Sequence, residues 1–182
     1  MVKQLEIDQL IQLCKKKDEP VQMEVYNRYH LAMYHSALRI VQNRVDAEDV
    51  MQESFLTAFE KLEQYKGGNK FGGWLKQITL RKALHFCEQR NKQKTSPLEE
   101  GWFYVNEGET NDNEKSRTIE LHKALNELIP RYRNALMLMY FEGYDYEELT
   151  NILKLSYGNC RTLISRAKEQ LKQKIEVNEL HR

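Results

Sequence analysis

The chain has 182 residues, with 28 Lys or Arg against 27 Asp or Glu and a formal net charge of +1. That length supplies one large domain or two small ones with real cores, and the balanced charge excludes a uniformly basic binder of polyanions. Cys14, Cys87 and Cys160 are odd in number and far apart, which excludes a complete disulfide framework and any paired zinc-ligand spacing.

A reduced compartment suits such cysteines. The first 20 residues place their basic cluster after the apolar positions and include acids, unlike a signal peptide. No apolar run approaches the roughly 20 residues that cross a bilayer. A soluble cytoplasmic protein without direct membrane insertion is therefore expected.

Residues 5–13 predict a short amphipathic helix on Leu5, Leu10, Ile11 and Leu13. Pro20 suits the first turn of a longer helix, which carries Val21, Val25, Tyr29, Met33, Ala37 and Ile40 at spacings of three or four and ends near Gln42 or Asn43. His30 and His35 are five apart and so face different ways, which argues against a metal site there. In the next helix Asp46 is the expected N-cap, and Met51, Phe55, Phe59 and Leu62 form the apolar row. Asp49, Gln52 and Glu53 share a polar face, because separations of three and four bring residues together on a helix. Such a patch is usually only solvated. Standing before a basic segment, it also suits a basic partner protein.

Residues 65–73, YKGGNKFGG, contain four glycines and predict a loop. The loop lacks the phosphate-loop pattern and follows no strand, so a nucleoside-triphosphatase is a poor fit. Trp74 is expected to open the following helix, with Leu75, Ile78 and Phe86 on one side and Gln77, Arg81, His85 and Glu88 on another. Aromatic rings among lysines suit single-stranded nucleic acid, where bases stack and cations follow phosphates. The plainer alternative buries Phe71 and Trp74, and for Trp74 it is preferred.

Charge is unevenly distributed. Residues 61–94 hold nine cations against two acids, a balance of +7, and residues 154–174 have a balance of +5. Residues 95–118 lie between them with a balance of −4, no sustained period and an apolar patch at 102–105 that suits docking. That stretch is read as an acidic flexible linker. Beyond it, residues 119–128 offer Leu121, Leu125 and Leu128 as a core face; Pro130 begins a helix reaching Phe141, and Gly143 suits its C-cap.

Asp145 then caps a short helix with Glu148 as reciprocal partner, while Tyr144 and Leu149 form a hydrophobic staple. Leu149, Ile152 and Leu153 make its apolar face. Ser156 is the natural N-cap of a second helix, with Cys160, Leu163, Ile164, Ala167 and Leu171 on one side and Asn159, Arg161, Thr162, Ser165 and Arg166 on the other. This is the plan of a helix-turn-helix, whose second helix enters the DNA major groove. An ordinary helical hairpin fits the same spacing. The fold class is all-α, as two helical domains at residues 1–94 and 119–182 joined by the linker at 95–118.

The order of DAEDVMQESFLTAFEKLEQY, FGGWLKQITLRKALHFCEQR and the final helical pair resembles an extracytoplasmic-function (ECF) RNA polymerase sigma factor, from about Val21 to Ile175. The resemblance implies a sigma region 2 domain and a sigma region 4 helix-turn-helix domain. It implies that Asp49, Gln52 and Glu53 bind core RNA polymerase. Lys66, Asn69, Lys70 and Phe71 of the loop and Gln77, Arg81 and His85 of the following helix would read the downstream promoter element and hold a base of the opened strand. Ser156, Asn159, Arg161, Thr162, Ser165 and Arg166 would read the upstream element as duplex. An anti-sigma factor is a further partner that such proteins commonly have. Two departures are visible: Arg81 and His85 stand where the family often has Asn and Asp, and Gly158, Asn159 and Cys160 replace a G-T-V run.

The alternative is a stand-alone helix-turn-helix transcription regulator whose N-terminal half dimerises or binds a ligand. An all-helical interaction adaptor is a third reading. No nucleophile motif, metal-ligand cluster or carboxylate pair suggests an enzyme, and no cofactor is implied.

Overall fold

Helix α1 (Ile7–Cys14) buries Ile7, Leu10, Ile11 and Cys14 along one face, while Leu5 and Leu13 are half-buried. Its first turn is closed by Glu6, whose N–H donates to the Gln9 side chain at 3.2 Å. Helix α2 (Glu19–Val41) starts where Asp18 accepts the Val21 N–H at 3.3 Å, with Pro20 in the first turn, as its missing N–H permits. It stops at Gln42, whose left-handed backbone lets its N–H reach the Leu38 carbonyl. The computed structural model describes residues 5–68, 70–93 and 112–180, which fall into two units.

Helix α3 (Arg44–Glu60) begins two residues after that stop, and its cap corrects the expectation at Asp46. Asn43 is the N-cap: its side chain accepts the Asp46 N–H at 3.0 Å. Asp46 lies inside the first turn and pairs instead with Arg90 at 3.0 Å. The sequence pattern placed the start late because Arg44 and Val45 are outward-facing and add nothing to the apolar row.

Helix α4 (Phe71–Gln93) also starts earlier than expected, at Phe71 rather than Trp74. Only Gly67 and Gly68 use positive φ, at 80° and 82°; Gly72 and Gly73 are helical. The early start is driven by Phe71, which is fully buried against Tyr29, Tyr65 and Trp74. Helices α2, α3 and α4 pack on one another and α1 covers α2, around a core that includes Val25, Met33, Met51, Phe55, Leu62 and Leu75.

In the second unit, α5 (Asp112–Asn126) begins seven residues before the expected start at 119, so part of the predicted linker is helix. The linker reading rested on a missing apolar period, which a polar first turn does not need. The rest of that stretch, including the 102–105 patch, lies outside the described residues. Helix α6 (Pro130–Leu136) runs into a π-helical turn at Met137–Phe141, followed by Gly143 at φ 78°. Helices α7 (Tyr146–Leu153) and α8 (Tyr157–Leu180) complete the unit, with α5, α6 and α7 all packed on α8. The described residues contain helices and no strand.

Candidate polymerase and promoter interfaces

The sequence-predicted acidic face is present on α3. Asp49, Gln52 and Glu53 are all exposed, because the opposite side buries Ala47, Val50, Met51, Ser54, Phe55 and Ala58. Gln52 donates to Glu48 at 3.3 Å and Lys82 donates to Glu53 at 3.2 Å. Two residues missed by the sequence reading extend this face. Val45 and Leu56 are 67% and 64% exposed, and the spacing 45, 49, 52, 56 places both on the same stripe. They leave apolar side chains in water at both ends of the acidic stripe. In the sequence both fall out of phase with the apolar row, but only the packing of α3 shows that they stand in water.

The second candidate site is the loop before α4 and the helix's outer stripe. Lys66 and Lys70 are exposed, Gln77 is half-buried, and Arg81 and His85 are exposed. Spacings of four carry these last three in one line away from the loop. The Gln89 side chain contacts the His85 ring at 3.0 Å, nitrogen to nitrogen, which orients the imidazole. Phe71 does not belong here. With no exposed surface it cannot stack on a base, and its site assignment is corrected to core packing. Asn69 lies outside the described residues.

The loop is fastened at both ends. Tyr65 is buried, its ring against Phe71 and Trp74, and its hydroxyl donates to Asp8 at 2.8 Å. Burial first, and then the bond to the Asp8 carboxylate, push the Tyr65 phenol up to about 12.

The third candidate site is on α8. Asp145 and Glu148 form a reciprocal capping box at 2.8 and 3.0 Å, and Tyr144 and Leu149 are both buried as a staple. Lys154 closes α7 in a left-handed conformation, and Ser156 starts α8 by accepting the Asn159 N–H at 3.3 Å. Cys160, Leu163, Ile164 and Ala167 are buried, so Asn159, Arg161, Thr162, Ser165 and Arg166 all point to solvent. Gly158 joins four of these around an open depression. The roles of two hydroxyls are partly taken: Ser156 accepts its cap bond, and Thr162 donates to the Gly158 carbonyl at 2.9 Å. Thr162 therefore presents an acceptor and a methyl group outward. Cys160 fills a buried position, where its thiol pKa is raised by desolvation.

Residues 25–93 match Sigma-70 region 2 and residues 118–171 match Sigma-70, region 4, in the order that the interfaces require. The ECF RNA polymerase sigma factor SigE of Mycolicibacterium smegmatis is 32% identical over 153 residues, 82% of this chain and 59% of that protein. This chain belongs to the ECF sigma factors. The RNA polymerase sigma-H factor of Pseudomonas aeruginosa is 24% identical over 187 residues, 97% of each chain. Among solved structures, the sigma factor RpoE from Bartonella quintana, in complex with the anti-sigma factor NepR, shares the fold with a TM-score of 0.64. That likeness covers 85% of this chain and 96% of RpoE at 20% identity.

These matches decide against a stand-alone helix-turn-helix regulator. That reading needs a dimerisation or ligand domain in the N-terminal half, and α2 to α4 of this sigma factor are region 2. A sigma factor directs promoter-specific initiation by RNA polymerase, and its partners are core polymerase and promoter DNA. Among the described residues of this one, no helix is long and apolar enough to cross a membrane.

Proposed function

We propose that this sigma factor docks on core polymerase through the α3 stripe and reads a promoter at two places, with Asp49, Gln52, Glu53, Val45 and Leu56 as the docking residues. The downstream element is read as an opened strand by Lys66, Asn69 and Lys70 with Gln77, Arg81 and His85. The upstream element is read as duplex by Asn159, Arg161, Thr162, Ser165 and Arg166, with Ser156 holding the start of the reading helix. The observation that carries this reading is the division of α8, whose Asn159, Arg161, Thr162, Ser165 and Arg166 are exposed while Cys160, Leu163, Ile164 and Ala167 are buried.

Lysines and arginines position each domain on phosphates, and a good bidentate contact to a base discriminates by about 1–3 kcal/mol. Opening the duplex costs a few kcal/mol per unstacked step, which contacts to the single strand offset. Neither basic segment is strongly charged, so the free protein binds promoter DNA weakly. Useful affinity arises when polymerase holds both units at promoter spacing. The domain division at 1–94, 95–118 and 119–182 is part of this proposal, with α5 starting inside the middle segment. An anti-sigma factor is the expected regulator, since RpoE is found in complex with one, and hiding the α3 stripe would be its simplest way to act; the cytoplasm is the expected site of action.

The test is transcription with purified core polymerase on a promoter library. The wild-type chain should associate with core and initiate from a defined promoter class, and Arg161→Ala should weaken use of the upstream element by about tenfold, corresponding to the ~1–3 kcal/mol of one base contact. A wild-type chain that neither associates nor initiates ends the proposal; equal use of matched and mismatched upstream elements ends the role given to α8.

A further inference from the structure

Tyr65, Gly67, Gly68 and Lys70 would be poorly ordered on their own. Two consecutive residues at positive φ are supplied by glycines, which lose the most backbone freedom on folding. What holds them comes from the first helix. The Tyr65 hydroxyl donates to Asp8 Oδ1 at 2.8 Å, the Gly68 N–H donates to Asp8 Oδ2 at 2.9 Å, and the Lys70 N–H donates to the Tyr65 hydroxyl oxygen at 3.0 Å. One carboxylate thus binds both ends of the glycine pair, directly and through a phenol whose ring is fixed in the core.

We propose that Asp8 is a positioning residue for promoter reading: it clamps Tyr65, Gly68 and Lys70 so that Lys66 and Lys70 are presented to the opened strand in one arrangement. The inference rests on the loop having the reading role proposed above. Helix α1 lies before the region 2 match, which starts at residue 25, so the match assigns nothing to Asp8. Helix α1 is itself a rigid support, with Ile7, Leu10, Ile11 and Cys14 in the core. Gln9 and Gln12 of the same helix line a cleft together with Asp8, Tyr65, Lys66 and Gly67. Hydrogen bonds to a charged acceptor are the strong ones, and two of the three here end on a carboxylate. A loop held this way meets the strand without first being ordered, so less of the binding free energy is lost.

Asp8→Ala removes both carboxylate bonds, and Tyr65→Phe removes the phenol links while keeping the ring in the core. Hydrogen exchange on the full chain reports the clamp without DNA: the amides of Gly68 and Lys70 should exchange at least tenfold faster in Asp8→Ala, with α3 and α4 amides unchanged. With core polymerase and a library randomised in both promoter elements, both variants should lose at least threefold in discrimination at the downstream element. Upstream discrimination and core affinity should match wild type. Unchanged exchange, unchanged downstream discrimination, or an equal loss at both elements with weaker core binding each overturns the clamp. A Lys66→Ala, Lys70→Ala variant separates the two levels. If it discriminates like wild type, the loop does not read DNA and both proposals fall; if it loses discrimination while Asp8→Ala does not, only the clamp falls.

Discussion

Lys82 Nζ on α4 lies 3.2 Å from Glu53 Oε2 on α3, so one residue of the acidic stripe is tied to the helix that carries Gln77, Arg81 and His85. Glu53 is two-thirds exposed, and such pairs contribute about 0–1 kcal/mol. The pair therefore has little weight in stability, which leaves Glu53 free to exchange partners. Glu53→Lys sets two ammonium groups against each other and should lower stability by up to about 1 kcal/mol. Asp49→Lys, exposed on the same stripe, should cost less. Both should abolish association with core polymerase, measured by co-elution or fluorescence anisotropy. If either binds core as wild type does, that residue is not part of the docking face.

Phe71 separates the two ways of reading the loop. Placed between Tyr29, Tyr65 and Trp74 with no exposed surface, it is a core side chain. Phe71→Ala should cost about 3–5 kcal/mol, the usual range for emptying an aromatic site. It should weaken core binding as well as promoter opening, because α2 to α4 lose their packing together. Thermal unfolding followed by Trp74 fluorescence in a Trp102→Phe background checks this. A Phe71→Ala chain that melts like wild type and loses only strand reading would return Phe71 to the DNA-binding set.

The misplacement of Phe71 shows where sequence stopped being informative. Elements with a strong period or a reciprocal cap were legible: α2 with Pro20 in its first turn and its stop at Gln42, the Asp145–Glu148 box, and the two faces of α8 stand as expected, Leu171 being only half-buried. Starts were not. Four glycines in nine residues hide that the last two are helical, and only the tertiary contacts of Phe71 pull the start of α4 forward. Asn43 and Asp46 are both good cap residues, and the choice between them depends on where Gln42 turns left-handed. Val45 and Leu56 were visible as letters, but their exposure is a property of packing on the other side of α3. The Asp8 clamp spans 57 and 60 residues and has no local signature at all.

Alkaline pH tests the core beneath α1. The Cys14 thiol is raised from 9.0 to about 11, by burial first and then by the charge of Asp18. Below pH 9 it is protonated in both folded and unfolded chains and adds no pH dependence. Between about 9 and about 11 the unfolded chain releases this proton and the folded one keeps it, so stability falls as pH rises; above that the slope ends. Tyr65, raised from 10.0 to about 12, adds a second decline in a higher window. Denaturant midpoints measured from pH 8 to pH 11 should therefore decrease, and Cys14→Ala should reduce the slope between 9 and 10, where Tyr65 is silent and Cys160, also raised by desolvation, accounts for the remainder. An identical slope in Cys14→Ala would show that the thiol is not the titrating group.

Gly72 and Gly73 are neighbours in the first turn of α4, and the same substitution should act on them with opposite sign. A Cβ on Gly73 meets nothing within 4 Å, so Gly73→Ala gains helix propensity alone, up to about 1 kcal/mol. A Cβ on Gly72 would lie 2.9 Å from Cε1 of Tyr29. The Tyr29 ring also packs edge-on against Phe71 at a centroid distance of 5.5 Å, so a ring that yields to the new Cβ disturbs that contact. Gly72→Ala should therefore destabilise the unit by about 1–3 kcal/mol, the range for overpacking, despite the same gain in propensity. Because the clash has a single named partner, it should be non-additive: in a Tyr29→Ala background the Gly72→Ala penalty should disappear. Denaturant unfolding of the four chains decides it. A Gly72→Ala penalty that survives without the Tyr29 ring would place its cause in the backbone at the start of α4 instead.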